Sequence, residues 1–447
     1  MSCGAAHLVR RAAGAGAVGG SMFELQNAQS LTGLVLTLAI CWAVSEDRRR
    51  FPWRLAVGAL VIQAGLVLIL FGMPIAQDVL QAVGRGVDGL AASTQTGTQF
   101  VFGYLAGGNQ PYATGPAGVP YLLGFRVLPV ILVICALSAL LWHWKILKWI
   151  THGFGFLFQK TMKLRGPPAL ATAATVFMGQ VEGPIFIRAY LPLLTRSEIF
   201  MLLTVGMSCV SGSTIVAYAA LLKGVLPNAA AHVLTASIIS APAGVLLARI
   251  IIPPDPQEAT TDFGKEAEKS YEGSVDALIQ GTEDGLKIVL SVGATLIVLV
   301  ALVSIADRLL GLFPNIAGAP PSIERGLGVV FAPLAWAIGI PWKEAAKAGQ
   351  LLGVKLALTE FSAFVQLSQT GAADLSERSR MIMTYALCGF ANIASVGINV
   401  AGYSVLAPGR RREVVGMVWK ALLAGFLATC MTASVVGAMP SALFGQP

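Results

Sequence analysis

The chain contains a series of apolar segments that are long enough to cross a lipid bilayer, separated by short polar stretches. The segments lie at residues 30–45, 52–75, 121–142, 198–222, 229–252, 286–306, 381–407 and 414–439. A helix of about 20 apolar residues spans the hydrocarbon core, and such a helix satisfies its own backbone hydrogen bonds within lipid. The segments therefore predict an all-α polytopic membrane protein with about eight transmembrane helices.

The composition excludes other classes of protein. Of the 447 residues, 55% are hydrophobic and 12% are charged, whereas soluble domains are about 25% charged. A soluble enzyme, a disordered chain and a secreted disulfide scaffold are excluded. The net charge of +8 is interpreted as basic anchors on cytoplasmic loops, not as a nucleic-acid-binding surface. The six cysteines occur singly and the four histidines lack metal-ligand spacing, which predicts neither a disulfide framework nor a metal bound by these residues.

The N-terminal segment, residues 1–27, differs from the rest of the chain. It contains two arginines but lacks the apolar core of a signal peptide. The run Gly14–Gly19 fits GxGxxG, but no strand precedes it, so a dinucleotide site is not predicted. We expect a disordered extension, or a true start at Met22.

The basic clusters predict the orientation in the membrane. The strongest are Arg48–Arg50, Lys160 with Lys163 and Arg165, and Arg410–Arg412. Cytoplasmic loops are enriched in lysine and arginine, and a single orientation puts all three clusters in the cytoplasm. That orientation leaves both termini in the periplasm. It also makes residues 253–285 a cytoplasmic linker, with an amphipathic helix over about 268–285.

Two further segments, residues 168–192 and 345–370, are apolar but interrupted. Each carries a glutamate near its middle, Glu182 and Glu360, with glycine, proline or threonine close by. Neither makes a good continuous span, so both are predicted to be re-entrant hairpins. Membranes tolerate such hairpins only where they are buried in protein or line a cavity.

The hairpins belong to two halves with the same plan. In each half, a span is followed by an amphipathic stretch, an interrupted segment with its glutamate, and two further spans. The predicted topology starts the first half outside and the second half inside, so the repeats are inverted. Inverted repeats with paired broken helices are typical of secondary transporters, whose site lies near the bilayer midplane.

The intramembrane glutamates are the first candidates for chemistry. An ionised side chain at mid-membrane costs at least about 2.5 kcal/mol, so such a residue is expected to be functional. The alternative is that Glu182 pairs with Arg188 and Glu360 with Lys355. Gln180 adds two donors and an acceptor beside Glu182, a combination that suits a flat heterocycle or a hydroxylated solute.

A second group of candidates follows Glu360 in the chain. Asn392 and Ser395 are three residues apart and share a helix face, so with Glu360 they could hold vicinal hydroxyl groups. Hydrogen bonding between helices is an equal alternative for this pair. Phe390 could stack on a ring, although packing is the commoner role of a membrane phenylalanine. An intramembrane enzyme is not predicted, because the chain offers no nucleophile–base pair.

Several short motifs around the hairpins and broken spans form a set. They are Gly179-Gln180-Val181-Glu182-Gly183-Pro184, Arg188-Ala189-Tyr190-Leu191-Pro192, Ser211-Gly212-Ser213, Thr359-Glu360-Phe361, and the run from Tyr385 to Ser395. This set resembles the concentrative nucleoside transporter family, also called the NupC family. The likeness covers nearly the whole chain from about residue 28.

The resemblance implies a homotrimer of protomers with eight spans and two re-entrant hairpins. In each protomer a scaffold domain would stay fixed while a transport domain moves like an elevator. The residues implied to contact a nucleoside are Gln180, Val181 and Glu182 for the nucleobase, and Glu360, Asn392, Ser395 and Phe390 for the ribose. The ribose assignment agrees with the vicinal hydroxyls inferred from the residues alone.

The chain departs from the family pattern at two informative positions. Val181 stands where the family usually has threonine, which puts the usual base preference in doubt. Thr175 stands where sodium-coupled members carry an asparagine that ligates the ion. A sodium site could still form from Thr175 and Ser213, with carbonyls near Met178 and Thr214. The lost amide slightly favours proton coupling, with a carboxylate taking the proton.

These inferences divide the chain into six parts. They are an extension (1–27), scaffold helices 1–3 (28–145), a first inverted repeat with an interfacial helix, hairpin 1 and helices 4–5 (146–252), the linker (253–285), scaffold helix 6 with an interfacial helix (286–340), and a second repeat with hairpin 2 and helices 7–8 (341–447). The predicted function is cation-coupled nucleoside import across the inner membrane, without an enzymatic activity or a cofactor. The alternative is a non-transporting, gate-like membrane module that assembles with partner proteins.

Overall fold

The computed structural model describes most of the chain outside the N-terminal segment. The described residues are 25–109, 122–126, 128–146, 149, 153, 156, 160, 162, 164, 166–180, 182–185, 187, 190–255, 271–315, 320–371 and 374–444. Within these ranges every regular element is a helix, which confirms the predicted all-α fold. The predicted extension lies outside the described residues up to residue 24. The first helix begins at Leu25, slightly before the predicted boundary.

The helices follow the predicted order of spans and hairpins. Those of the first half are α1 (Leu25–Ala43), α2 (Trp53–Gly72), α3 (Pro74–Phe102), α4 (Leu123–Arg126), α5 (Leu128–His143), α6 (Gly166–Met178), α7 (Glu182–Ile185), α8 (Arg196–Ser208), α9 (Gly212–Leu222) and α10 (Ala229–Ile251). Those of the second half are α11 (Ser274–Leu310), α12 (Ile323–Ala337), α13 (Trp342–Ala357), α14 (Glu360–Gln369), α15 (Glu377–Leu387), α16 (Ile393–Leu406) and α17 (Arg411–Ala438).

Both interrupted segments fold as helix pairs with a sharp break. Hairpin 1 consists of α6 and α7, which are separated at Gly179, whose φ of +114° favours glycine. A Cβ at Gly183 would collide with Thr175, so the absence of a side chain there lets the two arms approach closely. Hairpin 2 consists of α13 and α14, and Thr359 caps α14 by accepting a hydrogen bond from the amide of Ser362.

The hairpins open at opposite ends of α17, which runs the length of the molecule. Near the start of α17, Arg410 donates to the carbonyl of Pro192, on the chain leaving hairpin 1, over 3.0 Å. Near its end, Arg378 donates to the carbonyls of Gly339 and Gly437, both over 2.7 Å. Gly339 lies at the entrance to hairpin 2, between α12 and α13. This arrangement agrees with the predicted inversion of the two repeats.

Two predicted spans are broken in their middles. The span predicted over 198–222 forms α8 and α9, and the span predicted over 381–407 forms α15 and α16. In the described part of the chain, three helical runs are individually long and apolar enough to cross a membrane, namely α2, α10 and the run Pro408–Ala438 that contains α17. The pair α12 and α13, bent by 118°, adds a fourth if it counts as one span.

The predicted boundary between linker and scaffold at residue 285 falls inside one helix. Helix α11 runs without a break from Ser274 to Leu310, so the amphipathic helix expected at 268–285 and the span expected at 286–306 are one element. The sequence changes there from polar to apolar while its residues remain good helix formers. A change of polarity marks entry into the membrane and does not end a helix. Residues 256–270 of the predicted linker lie outside the described residues.

The helices of the predicted scaffold segment, residues 28–145, have different packing partners, and their grouping as one scaffold stays a prediction. Helices α5 and α11 pack chiefly on each other, whereas α1 packs on α17 and α2 on α10. The close fit of α5 and α11 depends on small residues, since a Cβ at Gly281 would lie 2.8 Å from Ala136 and one at Gly285 would lie 3.0 Å from Cys135. Apolar periodicity shows that α1, α2 and α5 are buried or in lipid, but it does not identify their partners.

Candidate functional site

The two broken spans cross each other at their breaks. The amide of Phe390 donates to the carbonyl of Cys209 over 3.2 Å. Gly389 permits this approach, because a Cβ there would lie 2.8 Å from the carbonyl oxygen of Ser208. The ends of α8, α9, α15 and α16 therefore meet in one region, and helix ends carry free backbone groups and partial charges that can bind polar solutes.

Glu360 lies at this meeting point and is buried. Its Oε1 accepts a hydrogen bond of 2.9 Å from the hydroxyl of Tyr218, and its Oε2 accepts one from the amide of Asn392. Tyr218 is held in turn by stacking on Phe364, with ring centroids 4.4 Å apart. Because Glu360 is the first residue of α14, the partial positive charge of that helix end also favours the carboxylate. An ionised carboxylate has about four acceptor positions, so lone pairs remain for a ligand.

Asn392 is fixed by two different bonds. As the N-cap of α16, its Oδ1 accepts from the amide of Ser395 over 2.8 Å, and its Nδ2 donates to Glu360. The structure therefore brings together three of the predicted ribose residues, Glu360, Asn392 and Ser395. Phe390 is half-buried and packs against the core beside them.

The tip of hairpin 1 reaches the same helix. Gln180 is buried, and its Nε2 donates to the hydroxyl of Ser395 over 3.2 Å. Its Oε1 accepts a bond of 2.9 Å from Nδ2 of Asn399. Of the other predicted base-reading residues, Val181 lies outside the described residues, and Glu182 is described only as the first residue of α7.

Asn399 was not among the residues singled out from the sequence. It lies between Ile398 and Val400 in an apolar run, which predicts a lipid-facing or packed position. Its spacing of four residues from Ser395 and seven from Asn392 places all three on one helix face. This spacing is the feature of the sequence from which a role for Asn399 beside Ser395 and Asn392 could be inferred.

Lys355 does not form the ion pair with Glu360 that was considered as an alternative. This buried ammonium donates to the carbonyl of Ala386 over 2.8 Å and to the hydroxyl of Thr429 over 2.7 Å. It also lies 5.5 Å from the centroid of the Phe426 ring. Its charge nevertheless interacts with that of Glu360 through space. The other pair considered, of Glu182 with Arg188, falls on side chains outside the described set.

The described hydrogen bonds do not join the predicted cation ligands to each other. Thr175 donates its hydroxyl to the carbonyl of Ala171, and Thr214 donates to the carbonyl of Ser211, both over 2.8 Å. Each hydroxyl therefore keeps lone pairs that a cation could use. The side chain of Ser213 lies outside the described set. The carbonyls near Met178 and Thr214 stay a prediction.

Comparison with known families gives matches over most of the chain. Residues 32–105 match the family model described as the N-terminus of Na+ dependent nucleoside transporters, and residues 232–437 match the model of the C-terminus. Residues 124–225 match a model described as nucleoside recognition.

Individual proteins agree with these matches. The nucleoside permease NupC of Helicobacter pylori is 32% identical over 415 residues, which is 91% of this chain and 96% of the permease. The structure of CNTnw in an inward-facing, substrate-bound state is 30% identical, with a TM-score of 0.85 over 94% of this chain and 99% of that one. A double variant of CNTnw in an outward-facing state is also 30% identical, with a TM-score of 0.87 over 95% of this chain and 99% of that one.

Proposed function

The chain belongs to the concentrative nucleoside transporter family, and from that premise we propose that it imports nucleosides across the inner membrane together with a cation. As a member of a family of nucleoside transporters, the chain is not an enzyme. The observation that carries the proposal is the buried carboxylate of Glu360, held by Tyr218 and Asn392 where the broken spans meet.

Glu360 and Asn392 suit the ribose of a nucleoside. Vicinal hydroxyls donate two hydrogen bonds in nearly the same direction, and a carboxylate with free lone pairs can accept both. Because the two protein donors already fix the carboxylate, it needs little rearrangement when the sugar binds. In this proposal, Ser395 completes the ribose contacts and Phe390 forms an apolar wall beside them.

The nucleobase is proposed to lie against the tip of hairpin 1. Gln180 offers amide hydrogens, Glu182 offers acceptors, and Val181 offers an apolar contact in place of a hydroxyl. Both hairpins must therefore be in place to enclose one nucleoside, the first over the base and the second over the sugar. A site divided between two inverted repeats is typical of alternating access.

The coupling ion is proposed to be a proton, with sodium as the competing assignment. The candidate sodium position offers the hydroxyls of Thr175 and Ser213 and carbonyls near Met178 and Thr214, but no side-chain amide at residue 175. One charge moving through about 100 mV releases about 2.3 kcal/mol, and about 1.4 kcal/mol is a factor of ten. The voltage alone therefore supports roughly 40-fold accumulation of a neutral nucleoside.

The movement is proposed to be an elevator within a homotrimer. The pair α5 and α11 packs chiefly on itself, so it could stay fixed while the body that holds the site moves.

We further propose that the loop between α1 and α2 faces the cytoplasm and both termini face the periplasm. Glu46 of this loop bonds Arg196 at the start of α8 and Lys420 of α17, and the basic residues that surround the loop support a cytoplasmic position.

Uptake of labelled uridine and adenosine by proteoliposomes tests the function and the coupling ion separately. One arm has an inward proton gradient without sodium, a second has a sodium gradient at equal pH, and a third has neither gradient. We expect accumulation in the first arm. Accumulation only in the second arm would reassign the coupling ion to sodium and leave the transport function standing. If none of the arms, nor exchange between internal and external nucleoside, moves the label, the function is wrong.

A further inference from the structure

We propose that Asn399 determines base selectivity by fixing the amide of Gln180, so that Gln180 presents hydrogen-bond donors to the nucleobase. The proposal rests on the proposed function and names the class of base that the site prefers. Three buried side chains carry it, Gln180 on hairpin 1 and Ser395 and Asn399 on α16. They form a chain of contacts between the two repeats.

The orientation of both amides follows from one backbone carbonyl. The carbonyl oxygen of Ser395 can only accept, and the Asn399 amide lies 2.9 Å from it. The Asn399 atom at that position must therefore be the donor, Nδ2. The same Nδ2 is 2.9 Å from the Gln180 amide, so the Gln180 atom facing it must be the acceptor, Oε1.

The other end of the Gln180 amide is then determined. Its Nε2 points to the hydroxyl of Ser395, one helical turn nearer the break at Asn392. Nε2 carries two hydrogens, and Ser395 accepts one of them. Among the described residues the second hydrogen has no acceptor and is left for the proposed ligand, while the acceptor Oε1 is occupied by Asn399. Gln180 thus offers the base a donor in place of an acceptor.

A second observation indicates that Asn399 has a role beyond packing. Its Oδ1 is buried and has no hydrogen-bond partner among the described residues. An unpaired buried acceptor costs free energy, whereas an apolar side chain of similar volume would fill the position without that cost. The amide at residue 399 is explained if its Nδ2 is needed to hold Gln180.

A fixed donor selects bases whose edge presents an acceptor. Uridine has a carbonyl oxygen at position 4 and a proton on the neighbouring ring nitrogen, whereas cytidine has an amino group at position 4 and an unprotonated ring nitrogen. The group at position 4, not the ring nitrogen, is proposed to face the Gln180 amide. Inosine and adenosine differ in the same way. An amino group facing the Gln180 amide would place donor against donor. We expect uridine over cytidine and inosine over adenosine by about tenfold, the order of one mismatched buried hydrogen bond.

The test compares the wild type with Asn399→Leu. This substitution removes the hydrogen bond from residue 399 to Gln180 and keeps a side chain of similar volume. Competition by the four nucleosides is measured in uptake and in nucleoside-dependent thermal stabilisation of the purified protein. In Asn399→Leu the Gln180 amide can rotate, so both selectivity ratios should fall to within about threefold of one. Ser404→Ala is the matched control, because that hydroxyl bonds only a carbonyl of its own helix, and its ratios should equal those of the wild type.

Each outcome decides the proposal. A purely structural role of Asn399 would weaken binding of all four nucleosides equally, and unchanged ratios in Asn399→Leu would overturn the proposal. If that variant does not fold, the affinities of the wild type still test the proposal. Equal affinity for uridine and cytidine or for inosine and adenosine, or a preference for cytidine and adenosine, contradicts a fixed donor. Failure of the wild type to bind or exchange any nucleoside would instead count against the proposed function.

Discussion

The two halves of the site differ in how their described side chains are held. In the second repeat, Glu360 is an ionisable group bonded to Tyr218 and Asn392, and Lys355 lies buried in the same hairpin. In the first repeat, the described contact at the hairpin tip is a neutral amide, Gln180, held from across the site. The sugar is common to all nucleosides and the base varies. The half that is fixed by bonds to Glu360 is therefore suited to the constant part of the substrate, and the half whose amide is positioned from the other repeat is suited to the variable part.

Lys355 explains how a carboxylate can be kept in the second half. A buried ammonium is tolerated when its donors are satisfied, and this one has a carbonyl, a hydroxyl and an aromatic ring as partners. Its positive charge offsets that of Glu360 through space without occupying the lone pairs that the ribose needs. The second hairpin therefore places a basic and an acidic side chain in the same buried region without joining them in an ion pair.

The largest expected effect is the loss of uptake in Glu360→Gln. The amide would keep the size of the side chain but would accept two ribose hydroxyls far less well, and it would place a donor against Asn392. We expect uptake of all nucleosides to fall by at least about 100-fold, since hydrogen bonds to charged groups contribute about 1.5–3 kcal/mol each. Glu283→Gln, an exposed carboxylate on α11, is the control and should transport normally. Normal uptake by Glu360→Gln would refute the ribose assignment.

Removing one hydroxyl from the sugar tests whether Glu360 and Asn392 contact only the sugar and not the base. We expect 3′-deoxyuridine to compete about 10- to 100-fold less well than uridine, because one charged hydrogen bond is lost. The penalty should be the same for 3′-deoxyadenosine against adenosine, since Glu360 and Asn392 do not contact the base. Inhibition constants for the four compounds measure both ratios. Penalties that differ by more than about threefold between the two bases would show that the halves do not act separately.

A smaller effect is expected for Lys355→Met. The substitution leaves the Ala386 carbonyl without a donor in a buried position and leaves Glu360 without a nearby positive charge. We expect uptake to fall about tenfold and the Tm of the purified protein to fall as well. Lys343→Met, an exposed lysine on the same helix, should change neither quantity. A Lys355→Met protein with wild-type uptake would show that the charge balance in hairpin 2 is unnecessary.

The smallest effect concerns Glu46, which lies far from both halves in the loop between α1 and α2. Partial burial raises the pKa of this carboxyl, but hydrogen bonds from Arg196 and Lys420 outweigh burial and hold the pKa below its ordinary value. The folded state therefore gains stability above the ordinary pKa, and this gain is lost as the pH falls through the lowered pKa. Because the group is largely exposed, the gain is on the order of 0.5 kcal/mol after screening.

This prediction is checked by comparing the Tm of the wild type and Glu46→Gln across pH. The wild type should be slightly more stable near pH 7, and the difference should shrink as the pH falls from the ordinary pKa of about 4.3 and vanish below the lowered pKa. A difference that stays constant with pH would mean that the ion pairs do not stabilise the loop.

The sequence predicted the all-α fold and the proximity of Glu360 and Asn392, but not the packing between helices. Glu360 and Asn392 stand out as rare polar groups in apolar runs, and the structure places them in contact. Asn399 is just as rare but was passed over, because its role depends on Gln180 more than 200 residues away. The packing partners of the helices could not be predicted either, because an apolar helix surface can pack on any of several apolar neighbours.

Nucleoside counterflow tests the central claim most directly, because it requires transport but no ion gradient. Proteoliposomes are loaded with unlabelled uridine and diluted into a trace of labelled uridine. The account predicts transient accumulation of label above its equilibrium level by the wild type, and none by Glu360→Gln. Absence of this transient in the wild type, with purified protein that remains folded, would contradict the assignment of this chain as a nucleoside transporter.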